Sequence, residues 1–300
     1  MSRSSQVWSN GELIPFVEAK VHMLSHGFSR GSAVFEVFGV HLSPKGPQAF
    51  RMDEHLKRLV RTCDLLGMHL AHSPSEIAEA VKQTVTANTM ANGYIKVMAY
   101  YSEISLGNLV PEGDLDLAIF ALEAGSDLGL DPNKTVSACI SKWCKLHPRS
   151  VPPMAKACAN YLNGFLARQD ARQRGYDIGI LLDTHGFVCE GAMESVFMVK
   201  EGVLKTPPLG RVLSSITRMS IMELARVSDM KVLETPILPD ELSSADEIFF
   251  SATPFKVLPV NRLDNVQFDA PGPISIRLAE LMSNVTTCKD DRFTNWFQPL

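Results

Sequence analysis

Apolar residues along this chain alternate between a strand-like and a helix-like rhythm. The first run, "VWSNGELIPF", holds Asn10-Gly11 between apolar stretches and predicts a hairpin. "VFEVFGVHL" (34–42) is rich in branched and aromatic residues and predicts a strand. In "MDEHLKRLVRTCDLLG", Leu56, Leu59, Val60, Cys63 and Leu66 recur at helical spacing, and Gly67 stands where a helix-ending glycine belongs. "SPSEIAEAVKQTVTAN" predicts a second helix, with Ser73 as cap, Pro74 at the first helical position and Glu76 completing a capping box. Asn92-Gly93 closes that unit, and "YIKVMAYY" and "LDLAIFALE" read as strands.

The stretch from Glu123 to Lys134 is polar and rich in glycine and aspartate, the composition of a linker. Beyond it, "TVSACISKW" predicts a strand, and a loop with Pro148, Pro152 and Pro153 leads to Lys156. Tyr161, Leu162, Phe165, Leu166 and Gln169 continue as a helix that ends near Gly175. "DIGILLD" is a strand, His185-Gly186 a turn and "FVCEGAMESVFMVK" more strand. "SSITRMSIMELARV" is a helix capped by Ser214 or Ser215, "EIFFSATPFKVLPV" is strand, turn, strand, and a final helix covers about Pro273 to Ser283. Strands and helices mix without strict βαβ alternation. The expectation is an α+β fold of two domains, residues 1–122 and 135–300, joined by a linker at 123–134.

Composition narrows the class. A chain of 300 residues, 45% hydrophobic and 21% charged, is neither disordered nor fibrous. A net charge of −4 and a pI of about 6.1 give no electrostatic footprint for nucleic acid, and no apolar run is long enough to span a bilayer. The start, "MSRSSQVWSNGE", lacks the apolar core of a signal peptide, so the cytoplasm is the expected location. The six cysteines form no C-x-x-C pair and read as small buried hydrophobes in a reducing compartment. No His or Cys pair has ligand spacing on one element, and His22 and His26, four apart, have no third ligand near them, so no metal site is expected and both are given structural roles.

The candidate chemistry begins at "PPMAKACANYL". Lys156 lies among Met154, Ala155, Ala157 and Cys158 with no acid beside it. The ordinary reading is a lysine whose stem covers apolar surface while its head reaches water. The functional reading is a Schiff-base former held in an apolar site, with Tyr161 placed to face it from the helix start. Glu190, in "FVCEGAMESVF", is an edge-strand carboxylate, a salt-bridge partner or a buried anion for a cationic ring. Arg58 in "EHLKRL" fits a solvated helix face. Ser215, Ile216 and Thr217 start a helix, where capping is ordinary and free amides also cradle phosphate. Lysine, carboxylate, tyrosine, arginine and helix start are together the parts of a pyridoxal-phosphate site. Motifs for nucleotide loops, zinc proteases and serine hydrolases are missing.

These segments, in their order and spacing, resemble the fold-type IV pyridoxal-phosphate enzymes over nearly the whole length. That group includes branched-chain aminotransferases, D-amino-acid aminotransferases and aminodeoxychorismate lyases. "AKACANYL" and "EGAMESVF" look most like the branched-chain branch. The resemblance implies two α+β domains with the cofactor, pyridoxal 5′-phosphate, between them, and a homodimer or higher homo-oligomer. It implies that Lys156 carries the cofactor as an imine and moves the proton. It implies that Tyr161 binds the phenolic oxygen, Glu190 the pyridine nitrogen, and Arg58, Ser215, Ile216, Thr217 and Thr253 the phosphate. Phe35, Tyr94, Lys96, Thr253 and Arg30 are then the substrate-binding residues. The expected reaction is transamination between a branched-chain-like L-amino acid and a 2-oxo acid such as 2-oxoglutarate. The alternatives are the D-amino-acid or lyase activity on the same scaffold, and a relative that only binds a ligand.

Four departures from the branched-chain pattern bear on the substrate. Arg30 stands where those enzymes have an aromatic residue, "VFEVFGV" lacks their "VFEGIR", Lys96 replaces an arginine, and Pro254 removes a backbone N–H beside Thr253. Tyr101 does not supply the arginine of the D-amino-acid enzymes either. The expectation is that Arg30 takes a substrate carboxylate.

Overall fold

The computed structural model describes residues 5–104, 106–123 and 134–300. Two compact units emerge. The first gathers Met1–Asp127, Ala155–Ala159 and Val285–Leu300, and the second Leu128–Met154 and Asn160–Asn284. Lys156, which chain order assigns to residues 135–300, thus belongs to the first unit. Most of the linker expected at 123–134, residues 124–133, lies outside the described residues.

In the first unit, β1 (Gln6–Ser9) and β2 (Glu12–Pro15) form the expected hairpin, with Asn10 and Gly11 both at positive φ. A short helix α1 (His26–Arg30) precedes β3 (Ala33–Ser43) and β4 (Gly46–Phe50). Helices α2 (Met52–Leu66) and α3 (Pro74–Ala87) follow, then β5 (Gly93–Tyr100) and β6 (Asp116–Glu123). The capping box of α3 and the left-handed Gly67 after α2 are both present. The sheet runs β4, β3, β5, β6, β1, β2, and a C-terminal strand, Phe297–Pro299, pairs with β4. Alternation gives this sheet two faces. Val34, Phe38, Ile95, Val97 and Leu117 pack with Leu56, Leu59, Ile77 and Val81 of the helices into one core. Along β5 the other face carries half-buried Tyr94, Lys96 and Met98.

The segment around Lys156 completes that unit. Ala157 bridges Val34, the Phe35 N–H donates to the Lys156 carbonyl (3.1 Å), and the Lys156 N–H donates to Thr62 Oγ1 (3.2 Å). The start of α2 is held by the C-terminal residues. Arg51 lies over the Trp296 ring at 3.6 Å, and the Met52 N–H donates to Gln298 Oε1 (2.8 Å).

The second unit contains β7 (Val136–Cys144), α4 (Tyr161–Gln173), β8 (Ile178–Leu182), β9 (Val188–Glu190), β10 (Ser195–Lys200) and β11 (Val203–Thr206). It continues with α5 (Ile216–Val227), β12 (Val232–Glu234), α6 (Pro239–Ser243), β13 (Glu247–Ser251), β14 (Leu258–Leu263), β15 (Val266–Gln267) and α7 (Pro273–Thr286). Strands β10, β13, β14, β7, β8 and β9 pair in that order, and β9 pairs back to β10, so the sheet closes on itself. Val196, Met198, Ile248, Phe250, Ile178, Ile180 and Val260 fill its inner core. Phe197 and Phe249, cross-strand partners on the other face, stack at 4.9 Å.

Helix α4 starts at Tyr161 as expected, but its large apolar residues are not what it buries. Leu162 and Phe165 are exposed, while Gly164, Ala167 and Ala171 face inward. A Cβ on Gly164 would run into the carbonyl oxygen of Ala192, and one on Gly179 into that of Ala167, so small residues set the helix-to-strand spacing. Nor are all cysteines buried. Cys144 is exposed, because it sits at the solvent-facing end of β7, and Cys158 and Cys288 are half-buried.

Candidate functional site

Each unit carries a cluster of the candidate residues. In the first, β3 presents Phe35 on one face and Glu36 on the other. The Lys156 Nζ lies 4.7 Å from the centre of the Phe35 ring, and the Lys96 Nζ of β5 lies 5.2 Å from the same ring. Lys156 is half-buried, with Ala155 and Ala157 buried on either side. Tyr94 shares a face of β5 with Lys96, and burial raises the pKa of its hydroxyl. Arg30, by contrast, is exposed, and its guanidinium donates to the Leu106 carbonyl (3.3 Å).

Arg58 is not on a solvated face. It is buried, and it grips Glu36 with both ends of its fork, Nε on Oε1 at 2.7 Å and Nη2 on Oε2 at 2.6 Å. His55, one turn earlier on α2, donates its Nδ1–H to Glu36 Oε2 at 2.7 Å. Burial pushes the Glu36 carboxyl up, but the Arg58 charge, its hydrogen bonds and those of His55 hold it at about 2. Burial drives His55 down to about 4 against the pull of Glu36, and the charges of Arg58 and Lys156 add to that fall. Sequence reasoning missed Glu36 and His55. The signal was available, since Val34, Glu36 and Phe38 share one face of a strand, and a carboxylate on a core face needs a cation.

In the second unit, Glu190 ends β9 and is buried. Lys145, just past β7, is in close ion-pair contact with its Oε1, and the Leu213 N–H donates to Oε2 (3.1 Å). Lys145 loses water on burial, yet the Glu190 carboxylate more than offsets this and raises its pKa. Lys145 was also missed, because "SKWCKLHP" shows only a lysine at a strand end. Tyr161 opens α4 and bears electrostatically on Lys145.

At the start of α5, the Ser215 hydroxyl accepts the Arg218 N–H (3.3 Å), which makes Ser215 the cap. The amides of Ile216 and Thr217 lie at the open end of the helix, ahead of its first internal bond. Thr253 follows β13 in a tight turn, where its carbonyl accepts the Lys256 amine (2.6 Å). The buried hydroxyl of Ser251, at the end of β13, has no hydrogen-bond partner. Amides and hydroxyls at a helix start suit a phosphate, a half-buried amine suits an aldehyde, and a buried carboxylate suits a protonated ring nitrogen. The helix start and Glu190 of the second unit, and Lys156 of the first, are thus each of a kind that pyridoxal phosphate takes. Among the described residues no cluster of three or more His, Cys, Asp or Glu could hold a metal, and no helix is long and apolar enough to cross a membrane.

The amino-transferase class IV family model matches residues 33–263. A branched-chain-amino-acid aminotransferase of Salmonella typhimurium is 33% identical over 99% of this chain and 98% of its own length. The crystal structure of a branched-chain aminotransferase from Thermoproteus uzoniensis with norvaline is 34% identical, covers 99% of each chain and gives a TM-score of 0.93. That of a T.th. branched-chain amino acid aminotransferase with pyridoxamine 5′-phosphate is 31% identical, covers 100% of this chain and 99% of its own, and gives 0.94.

The Glu36 cluster predicts an acid-sensitive fold. The unfolded chain takes up the His55 proton near 6.5 and the folded chain only near 4, so stability falls as pH drops through that window. It falls further between 4.5 and about 2, where the unfolded Glu36 carboxyl protonates first. Glu36→Gln leaves Arg58 buried without its anion and is expected to cost about 3–5 kcal/mol at neutral pH. It should also flatten the lower window. Urea unfolding of both proteins across this range checks it, and a wild-type stability that stays constant down to the acid end would refute it.

Proposed function

We infer the reaction from a premise that the comparisons establish: this chain belongs to the class IV aminotransferases. It is an enzyme that transfers amino groups between an amino acid and a 2-oxo acid, with pyridoxal 5′-phosphate as cofactor. A branched-chain L-amino acid is the donor and 2-oxoglutarate the acceptor. The relatives' names favour this over the D-amino-acid and lyase alternatives. The observation that carries the reading is Lys156, a half-buried amine over an aromatic ring, its backbone tied to β3 and to Thr62.

The roles follow from residue chemistry. The bound cofactor supplies a conjugated system that absorbs the electrons left when the substrate's α-proton departs. The amine of Lys156, once neutral, would take that proton and return it to the cofactor carbon two bonds from the one it left. Glu190, as an anion, holds the proton on the ring nitrogen, and the Tyr161 hydroxyl donates to the phenolic oxygen. Arg58, Ser215, Ile216, Thr217 and Thr253 hold the phosphate, with Glu36 and His55 fixing the Arg58 fork. Phe35, Tyr94 and Lys96 line the substrate side, Thr253 receives the α-carboxylate, and Arg30 takes a second carboxylate at the rim.

A homodimer is part of this proposal. Met23, Phe28, Leu106, Leu109 and Val110 of the first unit are each about 70% exposed or more, a concentration of bare apolar residues that an isolated chain would leave in water. The cytoplasm fits the six free cysteines. Sedimentation of the enzyme in a cytosolic extract checks both. Twice the 33.0 kDa chain mass is expected, and the single-chain mass, or absence from that fraction, would count against them.

With cofactor added, borohydride reduction and peptide mapping should place the label on Lys156. Lys156→Ala should lose activity by about a thousandfold or more. L-leucine, L-isoleucine and L-valine should be used ahead of their D-forms. A label on another amine, or preference for D-donors, would overturn the reading. For Arg30→Ala, a loss of about tenfold on glutamate with little change on leucine is expected; equal losses on both would end the rim-carboxylate role.

A further inference from the structure

We propose that Lys145 is a positioning residue that shares the Glu190 carboxylate with the cofactor's ring nitrogen and so limits how strongly that nitrogen is held. The inference rests on the functional reading above. Its ground is the arrangement around Glu190. The side chains of Lys145 and Glu190 are each only 10% exposed and are in close contact. The Lys145 N–H donates to the Leu182 carbonyl (2.8 Å), which fixes where its side chain starts. Glu190 lies in register with Ser195 of β10 and Leu181 of β8, so its backbone is held on two sides. Its second oxygen already accepts the Leu213 N–H.

A carboxylate held in this way cannot swing to a new partner; a third group has to share it. An ammonium on one oxygen reduces the attraction the anion exerts on any cation arriving at the other side. The effect is large where water is scarce, and both groups here are nearly dry. Other charges nearby do not replace Lys145. Arg211 and Asp183, which line the same small cavity as Lys145, are closed on each other. His147 and His185 line that cavity as well, and Tyr161 and Cys189 bear on the Lys145 charge. Glu190 is thus a partly neutralised anion. It keeps the ring nitrogen protonated without binding it so tightly that the cofactor cannot pass between its aldehyde and amine forms.

The test uses the full-length enzyme freed of cofactor. Wild type, Lys145→Met and Lys145→Arg are titrated with pyridoxal 5′-phosphate and with its analogue that has carbon in place of the ring nitrogen. The ratio of the two affinities reports the contribution of that nitrogen alone. It should rise about fivefold in Lys145→Met and stay within about twofold of wild type in Lys145→Arg. An unchanged ratio in Lys145→Met overturns the proposal, since a lysine that only supports the fold moves both affinities together. Should Lys145→Met not fold, Lys145→Gln, which keeps a donor without the charge, gives the same comparison. A wild type that binds neither compound overturns the functional reading and this inference with it. A wild type that binds both, with the ratio unmoved by loss of the lysine, overturns this inference alone.

Discussion

Glu36 is a fully buried carboxylate on the core face of β3, and a buried anion is tolerable only beside a cation. Arg58 and His55 answer it from α2. This one cluster fixes the helix against the strand, and it turns a long, mobile arginine into a rigid donor. The same strand carries Phe35, whose ring lies beneath Lys156 and whose N–H holds the Lys156 carbonyl. The phosphate-binding arginine and the reactive lysine of the proposed mechanism are therefore both referred to β3. A shift of that strand would disturb both.

The second unit solves its own buried carboxylate in a related way. Glu190 has a cation on one oxygen and a backbone N–H on the other. The two anions differ in how completely they are taken. Glu36 is enclosed by a bidentate fork and an imidazole, and its role is structural support. Glu190 has one cation and one amide, which leaves lone pairs for a further donor. Glu36 is saturated, whereas Glu190 keeps capacity for the further donor that the proposed function would bring to it.

Much of the fold was legible because its local signals are strong. The Asn10-Gly11 turn, the capping box at Ser73 and Glu76, and the glycine after Leu66 each act over a few residues, and each stands where expected. What sequence order could not show was a segment leaving its neighbours. Residues 155–159 join β3 through hydrogen bonds that reach across more than a hundred positions, and no local pattern records such pairing. The inward face of α4 was hidden for a different reason. Its packing is set by how closely Gly164 lets the backbone approach Ala192, and such spacing leaves no apolar stripe. Lys156 and Glu190 were legible as candidates by residue type, and Ser215 as one of two possible caps for the helix that it does cap. Lys145 was not, because a lysine at a strand end is ordinary until its partner is known.

The Thr253 turn bears on the proposed substrate end of the site through the proline that follows it. Pro254 offers no N–H, so a carboxylate arriving there finds one backbone donor fewer. Proline also fixes its own φ, and Lys256 adopts a left-handed φ of 55° while its amine ties back to the Thr253 carbonyl at 2.6 Å. Lys256 is half-buried as a residue, but its amine end is enclosed, and the loss of water lowers its pKa to about 8. A turn closed at both ends in this way holds Thr253 with little freedom. Were Thr253 to receive a carboxylate as proposed, that rigidity would favour binding, because a group already held in place loses less entropy when a ligand arrives.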